Sequence, residues 1–264
     1  FEQSLIETCL NRVYSKNKIA LTTIVANEKF VLSSKKLIKS VIANTRGIEY
    51  DKIIIEVDEF PLKNEWKDDL LKAGWDLVCT VKRIQIYNET RLASRYRTVF
   101  TKLILFNMTQ YDGIVFIDSD AFAIGDITSL FYFHNILDNN NYYLAVGPNY
   151  AFKGNYAKTE FNSGVFTLRP NKTEFDRLQK LCLSDLSHIG LGQADQNFLN
   201  YYYKDKWINI GFKFNFLTYP LLNYNFTYEF IIKNTRIIHF AGAKPWSCYP
   251  QLKFICKLWN DIKV

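Results

Sequence analysis

Four short runs of β-branched and apolar residues constrain this chain more than any other feature. They are residues 19–25 (IALTTIV), 53–57 (IIIEV), 77–81 (LVCTV) and 114–117 (IVFI). Unbroken apolar runs of this length read as strands buried on both faces, as in a parallel sheet covered by helices. The stretches between them have helical spacing. Residues 31–42 put Leu37, Ile38, Val41 and Ile42 on one face, 65–73 stop at Gly74, and 98–108 read as a strongly apolar helix before the break at Gly113. Strand and helix in this rhythm predict an α/β chain with right-handed crossovers.

After Leu130 the rhythm breaks. Asn139 to Asn141 reads as a turn, 165–168 as a strand, and 174–183 and the stretch from Ala194 as helices. Residues 208–216 and 236–240 read as further strands. No linker, repeat or composition boundary divides the chain. The expectation is one domain over 1–264, with 1–18 an N-terminal extension and 247–264 a C-terminal helix or tail.

Composition narrows the classes. Hydrophobic residues are 48% and charged residues 22%, with only 11 Gly and 6 Pro, which excludes a disordered or low-complexity chain. A net charge of +7 suits a polyanion, a membrane surface or a phosphate-bearing ligand. The basic residues are scattered, in short clusters such as Lys35, Lys36 and Lys39 or Arg91, Arg95 and Arg97. There is no zinc-finger or basic-zipper spacing, so no nucleic-acid partner is expected. Five cysteines (Cys9, Cys79, Cys182, Cys248, Cys256), none in C-x-x-C spacing, argue against a disulfide framework but allow one bridge. No run of 18 apolar residues exists, so no transmembrane segment is expected. The chain begins at Phe1, where a leader could have been removed, so a soluble domain of either cytoplasmic or lumenal location remains open. Sequons at Asn88, Asn107, Asn171 and Asn225 are at chance frequency for so Asn-rich a chain.

Chemistry concentrates in a few places. Asp118-Ser119-Asp120 follows the IVFI strand. In extended chain, residues two apart point the same way, so both carboxylates would leave a strand's C-terminal end together. Such a pair suits Mg²⁺ or Mn²⁺ bridging phosphates. A pair of solvated loop aspartates is the alternative. His239, in Ile-Ile-His-Phe, reads by itself as a core histidine bonded to backbone. It is followed by Gly242, Lys244, Pro245 and Trp246, and an imidazole, a flexible glycine and a lysine this close suit a metal–diphosphate group. Asn162-Ser163-Gly164 offers directed hydrogen bonds, or an ordinary turn before a strand. Asp195-Gln196 opens a helix and could cap it. Lys102 interrupts an apolar stretch, where a lone lysine usually reaches for solvent.

Taken in order, these pieces resemble the glycogenin-like glycosyltransferases, family 8 of the retaining enzymes. The resemblance runs from about Ile19 to Trp246. It is carried by Phe100-Thr101-Lys102-Leu103, then Tyr111-Asp112-Gly113-Ile114-Val115-Phe116-Ile117-Asp118-Ser119-Asp120, then Ile127 to Phe131. Phe161-Asn162-Ser163-Gly164-Val165-Phe166, Ala194-Asp195-Gln196, Asn215 and His239-Phe240-x-Gly242-x-Lys244-Pro245-Trp246 follow. The resemblance implies a GT-A fold, a Rossmann-like mostly parallel sheet flanked by helices. It implies a divalent metal, Mn²⁺ by usage with Mg²⁺ as alternative, and a UDP-sugar donor. Asp118, Asp120 and His239 would be the metal ligands, with Asp118 also reaching the ribose. Ile24, Ala26, Asn27 and Phe30 would form the uridine pocket, and Ser119 would lie beside the donor. Gly242 and Lys244 would meet the diphosphate. Lys102, Asn162, Ser163, Asp195 and Gln196 would surround the donor sugar. Of these, Lys102, Asn162, Asp195 and Gln196 would act in catalysis by positioning and electrostatics.

The implied reaction moves a hexose from UDP-glucose, with UDP-galactose and UDP-glucuronate next, to a glycan, protein or small-molecule acceptor. Dimers occur in related enzymes, so oligomeric state is left open with a homodimer among the alternatives. The sequence departs from the family in places. Phe30 stands where Tyr is common. Gly192 stands where glycogenins proper carry an acid, which argues against self-glucosylation. Tyr219, Tyr224 and Tyr228 read as packing residues. Two competing readings are a haloacid-dehalogenase-type phosphatase and a non-catalytic UDP-sugar-binding module on a degenerate transferase fold. The phosphatase pattern wants Thr or Val where Phe122 stands.

Overall fold

The computed structural model describes residues 18–87, 96–137, 142–149, 160–222 and 226–264. Cys9, Asn88, Arg91, Arg95, the Asn139 to Asn141 turn, Tyr224 and Asn225 lie outside the described residues, as does nearly all of the 1–18 extension.

β1 (Ile19–Ile24), α1 (Lys29–Ala43), β2 (Asp51–Val57), α2 (Asn64–Ala73) and β3 (Leu77–Val81) alternate as the apolar runs predict. Gly74 ends α2 at φ 122°, a conformation glycine adopts without Cβ strain. The apolar stretch before Gly113 is a 3₁₀ helix, Val99–Asn107, and leads to β4 (Gly113–Ile117) and β5 (Ala121–Ala123). Then come α3 (His134–Leu137), β6 (Leu144–Pro148), β7 (Phe161–Leu168), α4 (Lys172–Cys182), α5 (Asp195–Tyr202) and β8 (Trp207–Asn209). β9 (Phe216–Leu217), α6 (Tyr228–Asn234), β10 (Ile237–His239) and α7 (Lys253–Asp261) complete the chain. The expected strand over 208–216 is two short strands, β8 and β9, separated by a 3₁₀ turn at Phe212–Phe214.

Seven strands form one sheet in the order β3-β2-β1-β4-β7-β6-β8. The β1–β2, β1–β4, β2–β3 and β6–β8 pairs are parallel, whereas β7 runs antiparallel to both β4 and β6. β5, β10 and β9 make a second, three-stranded sheet beyond the single one expected. β6 was not anticipated from the sequence, because the Gly147-Pro148 end of LAVGP reads as a break.

Each β4 residue is buried, and its side chains alternate between two cores. Ile114 and Phe116 join Phe100, Leu103, Phe175 and Phe198 on one face of the sheet. Val115 and Ile117 join Leu37, Ile38, Val41 and Leu70 on the other. A third cluster packs Phe122, Ile238 and Phe240 against Ile255 and Trp259 of α7. Lys36 of α1 is buried and donates to the Trp259, Asn260 and Ile262 carbonyls, which closes the C-terminal end of α7 with a cation. Cys248 and Cys256 are disulfide-bonded, Cys79 is disulfide-bonded as well, and Cys182 is a buried free thiol. Disulfides therefore contribute more than the cysteine spacing suggested, because pairing depends on three-dimensional approach and not on spacing. Among the described residues no helix is long and apolar enough to cross a membrane.

Candidate active site

The parallel strands β1 and β4 run side by side, with Thr22 opposite Phe116, so their C-terminal ends share one edge. Asp118 leaves β4 there. The chain is not extended at this point: the Ala121 amide donates to the Asp118 carbonyl, closing a tight turn. The expectation that Asp118 and Asp120 point together because they lie on a strand is thus corrected. They converge because β5 turns back beside β10. His239 is paired with Ala121 across these antiparallel strands, and the Phe240 amide donates to the Asp120 carbonyl.

His239 Nε2 consequently lies 3.7 Å from Asp118 Oδ2 and 3.4 Å from Asp120 Oδ1. Asp118, Asp120 and His239 each offer one ligand atom, all within 4.8 Å of one another. The histidine is therefore not a backbone-bonded core residue, and the two aspartates are not a solvated loop pair: Asp120 is 4% exposed. Lys244 Nζ contacts Asp120 Oδ2. Gly242, at φ +88°, makes the bend that returns Lys244 to this place. Burial favours the neutral Asp120 acid, but His239 and Lys244 outweigh it and hold the carboxyl well below the usual range.

Lys102 is 6% exposed and does not reach solvent, contrary to the usual behaviour of a lone lysine on an apolar helix. Two carboxylates hold it inside. Its Nζ lies 3.1 Å from Asp118 Oδ1 and 3.4 Å from Asp195 Oδ2, and donates to the Ser163 carbonyl at 3.2 Å. Burial disfavours the ammonium, yet Asp118 and Asp195 more than compensate and raise its pKa. Asp195 does not cap its helix with its side chain. It accepts from Ser163 Oγ at 2.8 Å. Its burial, with the Asp118 charge behind it, pushes its pKa up against the opposing pull of Lys102 and Ser163. Ala194, just before it, holds φ 47°, a strained conformation for a residue with a Cβ, and such strain collects at functional sites.

Asn162 Nδ2 donates to Gln196 Oε1 at 2.8 Å, and Gln196 Nε2 donates to Gln193. Asn162-Ser163-Gly164 lies within β7 and is not a turn before it. A Cβ on Gly164 would come 2.2 Å from His239 Cε1, so only glycine lets the ring sit there. The residues expected around the uridine span the junction from the end of β1 to the first turn of α1, where the Phe30 amide donates to Asn27 O. Ile24, Ala26 and Phe30 are half-buried and Asn27 is exposed. The Phe30 ring meets Trp246 edge-on at 5.2 Å, which brings the segment carrying Lys244 against this turn. Ser119 is buried. Tyr228 is half exposed, with its ring edge-on to Phe254.

Sequence reasoning quoted Asn215 without a role. It is fully buried and bonds both His239 Nδ1 and Asn162. Gln193 was missed altogether; its spacing of three before Gln196 on adjoining helical turns was the available signal.

The sequence model described as glycosyl transferase family 8 matches residues 21–248. The chain is 25% identical over 245 residues to an uncharacterized protein of Acanthamoeba polyphaga mimivirus, covering 86% of this chain and 82% of that protein. It is 24% identical over 249 residues to a putative UDP-glucuronate:xylan alpha-glucuronosyltransferase 4 of Arabidopsis thaliana, covering 94% of this chain. It spans only 40% of the length of that plant relative. The crystal structure of the galactosyltransferase LgtC with donor and acceptor sugar analogs superposes with a TM-score of 0.57 at 16% identity, over 93% of this chain and 96% of that one. At that identity the likeness concerns the fold, which is GT-A.

Proposed function

Because the chain belongs to glycosyl transferase family 8, we propose that it moves a hexosyl unit from a UDP-sugar to an acceptor hydroxyl with retention of configuration. One observation supports this reading above the others. Asp118, Asp120 and His239 converge at the same strand edge as the buried Lys102–Asp195 pair.

Two carboxylates and an imidazole fit a hard or borderline divalent cation, Mn²⁺ first and Mg²⁺ second. That Asp120 already rests against the Lys244 ammonium supports a cation here. A divalent cation held by Asp118, Asp120 and His239 would supply charge neutralisation to the diphosphate leaving group. Lys244 adds a second positive charge to the same group, and Gly242 lets the backbone approach it. Ile24, Ala26, Asn27 and Phe30 would seat the uracil and ribose, with Trp246 closing against Phe30.

Lys102, kept charged by its two carboxylates, holds Asp195 in one orientation. Ser163 holds the same carboxylate from the other side. Asp195 then faces the donor sugar as a fixed negative charge, suited to an oxocarbenium-like transition state. Asn162 and Gln196, locked to one another, orient the sugar hydroxyls.

UDP-glucose is the first donor to test, on the glycogenin resemblance. UDP-glucuronate follows because of what the plant relative acts on, then UDP-galactose. The acceptor is a glycan, protein or small molecule. The phosphatase alternative finds no support, since the transferase family matches across the whole D-x-D region. The test is UDP release from a panel of UDP-sugars with Mn²⁺, with and without EDTA, beside Asp120→Ala. Metal-dependent release from one sugar, absent in the variant, is the expected result. A folded protein that binds UDP but releases none from any donor, across an acceptor panel, would leave the non-catalytic binding module. Absence of UDP binding would overturn the proposal.

A further inference from the structure

We propose that Asn215 is a positioning residue that sets which nitrogen of His239 carries the proton, and so presents the Nε2 lone pair to the cation site. The inference rests on the reading of His239 as a metal ligand.

The argument starts from a backbone group whose polarity is certain. The Gly164 amide can only donate, and it donates to Asn162 Oδ1 at 3.0 Å. That fixes which end of the Asn162 amide is oxygen. The Asn215 side chain reaches the same oxygen at 2.9 Å, so the atom it presents is the Nδ2 donor. The other end of Asn215 is therefore its carbonyl oxygen, and it faces His239 Nδ1 at 3.0 Å. An amide oxygen can only accept. Nδ1 must then carry a hydrogen, which leaves Nε2 as the nitrogen that can give its lone pair to a cation held beside Asp118 and Asp120. The hydrogen-bond chain continues toward the donor-sugar side of the site, because Asn162 Nδ2 donates to Gln196. The orientation of the imidazole is thus tied to an amide that would touch the donor sugar.

Two glycines build the slot for this arrangement. On β6, a Cβ at Gly147 would come 2.5 Å from Asn215 Cβ. On the neighbouring strand β7, a Cβ at Gly164 would come 2.2 Å from the His239 ring. Asn215 has no exposed surface, so water cannot replace its bond to Nδ1. A merely structural asparagine would need none of this directional matching. Partners of this kind on the far nitrogen of a ligating histidine typically change metal affinity 10–100-fold when removed.

The wild-type protein supplies the first test. With histidine labelled by ¹⁵N, the three imidazoles are resolvable, and His239 in the protein loaded with diamagnetic Mg²⁺ and UDP is expected to show a protonated Nδ1 and an unprotonated Nε2. A ring protonated at Nε2 instead would overturn the inference without any variant being made. The second test titrates Mn²⁺ in the presence of UDP, read by electron paramagnetic resonance. Asn215→Leu, similar in shape but without polar atoms, should bind Mn²⁺ about 10–100-fold more weakly. Asn215→Asp, which keeps the acceptor for Nδ1–H while giving up the donor to Asn162, should lose less affinity than the leucine variant. Leucine and aspartate variants that lose affinity equally, or a leucine variant that loses none, would refute the role. Wild-type protein that binds UDP but no Mn²⁺ would instead sink the metal-site reading, and the inference with it. Should Asn215→Leu fail to fold, the wild-type tautomer still decides.

Discussion

Replacing Gly164 with alanine should disable the site while changing no polar atom. The new methyl carbon would lie 2.2 Å from His239 Cε1, 2.6 Å from Nδ1 and 2.9 Å from Asn162 Oδ1. Ordinary carbon contacts begin near 3.4 Å, so the ring must retreat by about 1.2 Å. It has little freedom to do so. His239 is 4% exposed, is paired with Ala121 through its backbone and is held by Asn215 at Nδ1. Either the ring leaves Asp118 and Asp120, or β7 shifts and takes Asn162 and Ser163 with it. A displacement near 1 Å in a catalytic constellation costs about 100-fold in rate, close to 3 kcal/mol of transition-state stabilisation. Overpacking should also lower stability by about 1–3 kcal/mol. The assay is Mn²⁺-dependent UDP release over a range of donor concentrations, alongside urea unfolding. Gly190→Ala is the control, because a Cβ there meets nothing within 4 Å. A Gly164→Ala protein with kcat/KM within threefold of wild type would refute the reasoning.

Further expectations concern binding, stability and pH. Lys244→Ala should mainly weaken UDP binding; unchanged affinity in calorimetry would contradict its role at the diphosphate. Lys36→Met removes the cation that joins α1 to three carbonyls at the end of α7 and should cost about 1.5–3 kcal/mol in urea unfolding; a loss below about 0.5 kcal/mol would show that water serves those carbonyls equally well. Cys248→Ser opens a short loop and should cost about 2–3 kcal/mol. Because Trp246 lies two residues before that bridge and touches Phe30, the KM for the donor should rise as well, and a variant altered in neither would refute both points. Burial holds His134 below the usual imidazole value, against a smaller opposing pull from the Phe131 backbone and Asp112. The unfolded chain therefore takes up this proton first. The contribution to stability is complete above about pH 6.5 and is lost as pH falls through the lower folded value. The melting temperature of wild type should drop more between pH 7.5 and 5 than that of His134→Gln, and parallel curves would exclude the effect.

Much of the fold was legible because it is local. β3 has the bounds its LVCTV run predicts, and α2 ends at the glycine that reads as its stop. The residues that the family motifs single out, Asp118, Asp120, His239, Lys102, Asn162, Ser163, Asp195 and Gln196, do come together in one place. What failed was each inference that treated a residue within its own neighbourhood. Lys102 read alone belongs in solvent, but two carboxylates 16 and 93 residues away hold it inside. Asp118 and Asp120 read alone form an extended pair, but the turn into β5 aims them. His239 read alone is a core imidazole, because nothing near it in sequence reveals Asn215 or the space left by Gly164.

The sequence by itself therefore determined where the first three strands and the helices between them form, and which chemical groups were available. Periodicity and residue type act over a few neighbours, and that range suffices for both. The tertiary structure alone decided which charges face each other, which cysteines pair and which imidazole nitrogen is turned toward the carboxylates. Those outcomes depend on contacts between segments 8 to 124 residues apart, and the imidazole's are made only when β10 docks beside β5 and Asn215 enters the slot between two glycines.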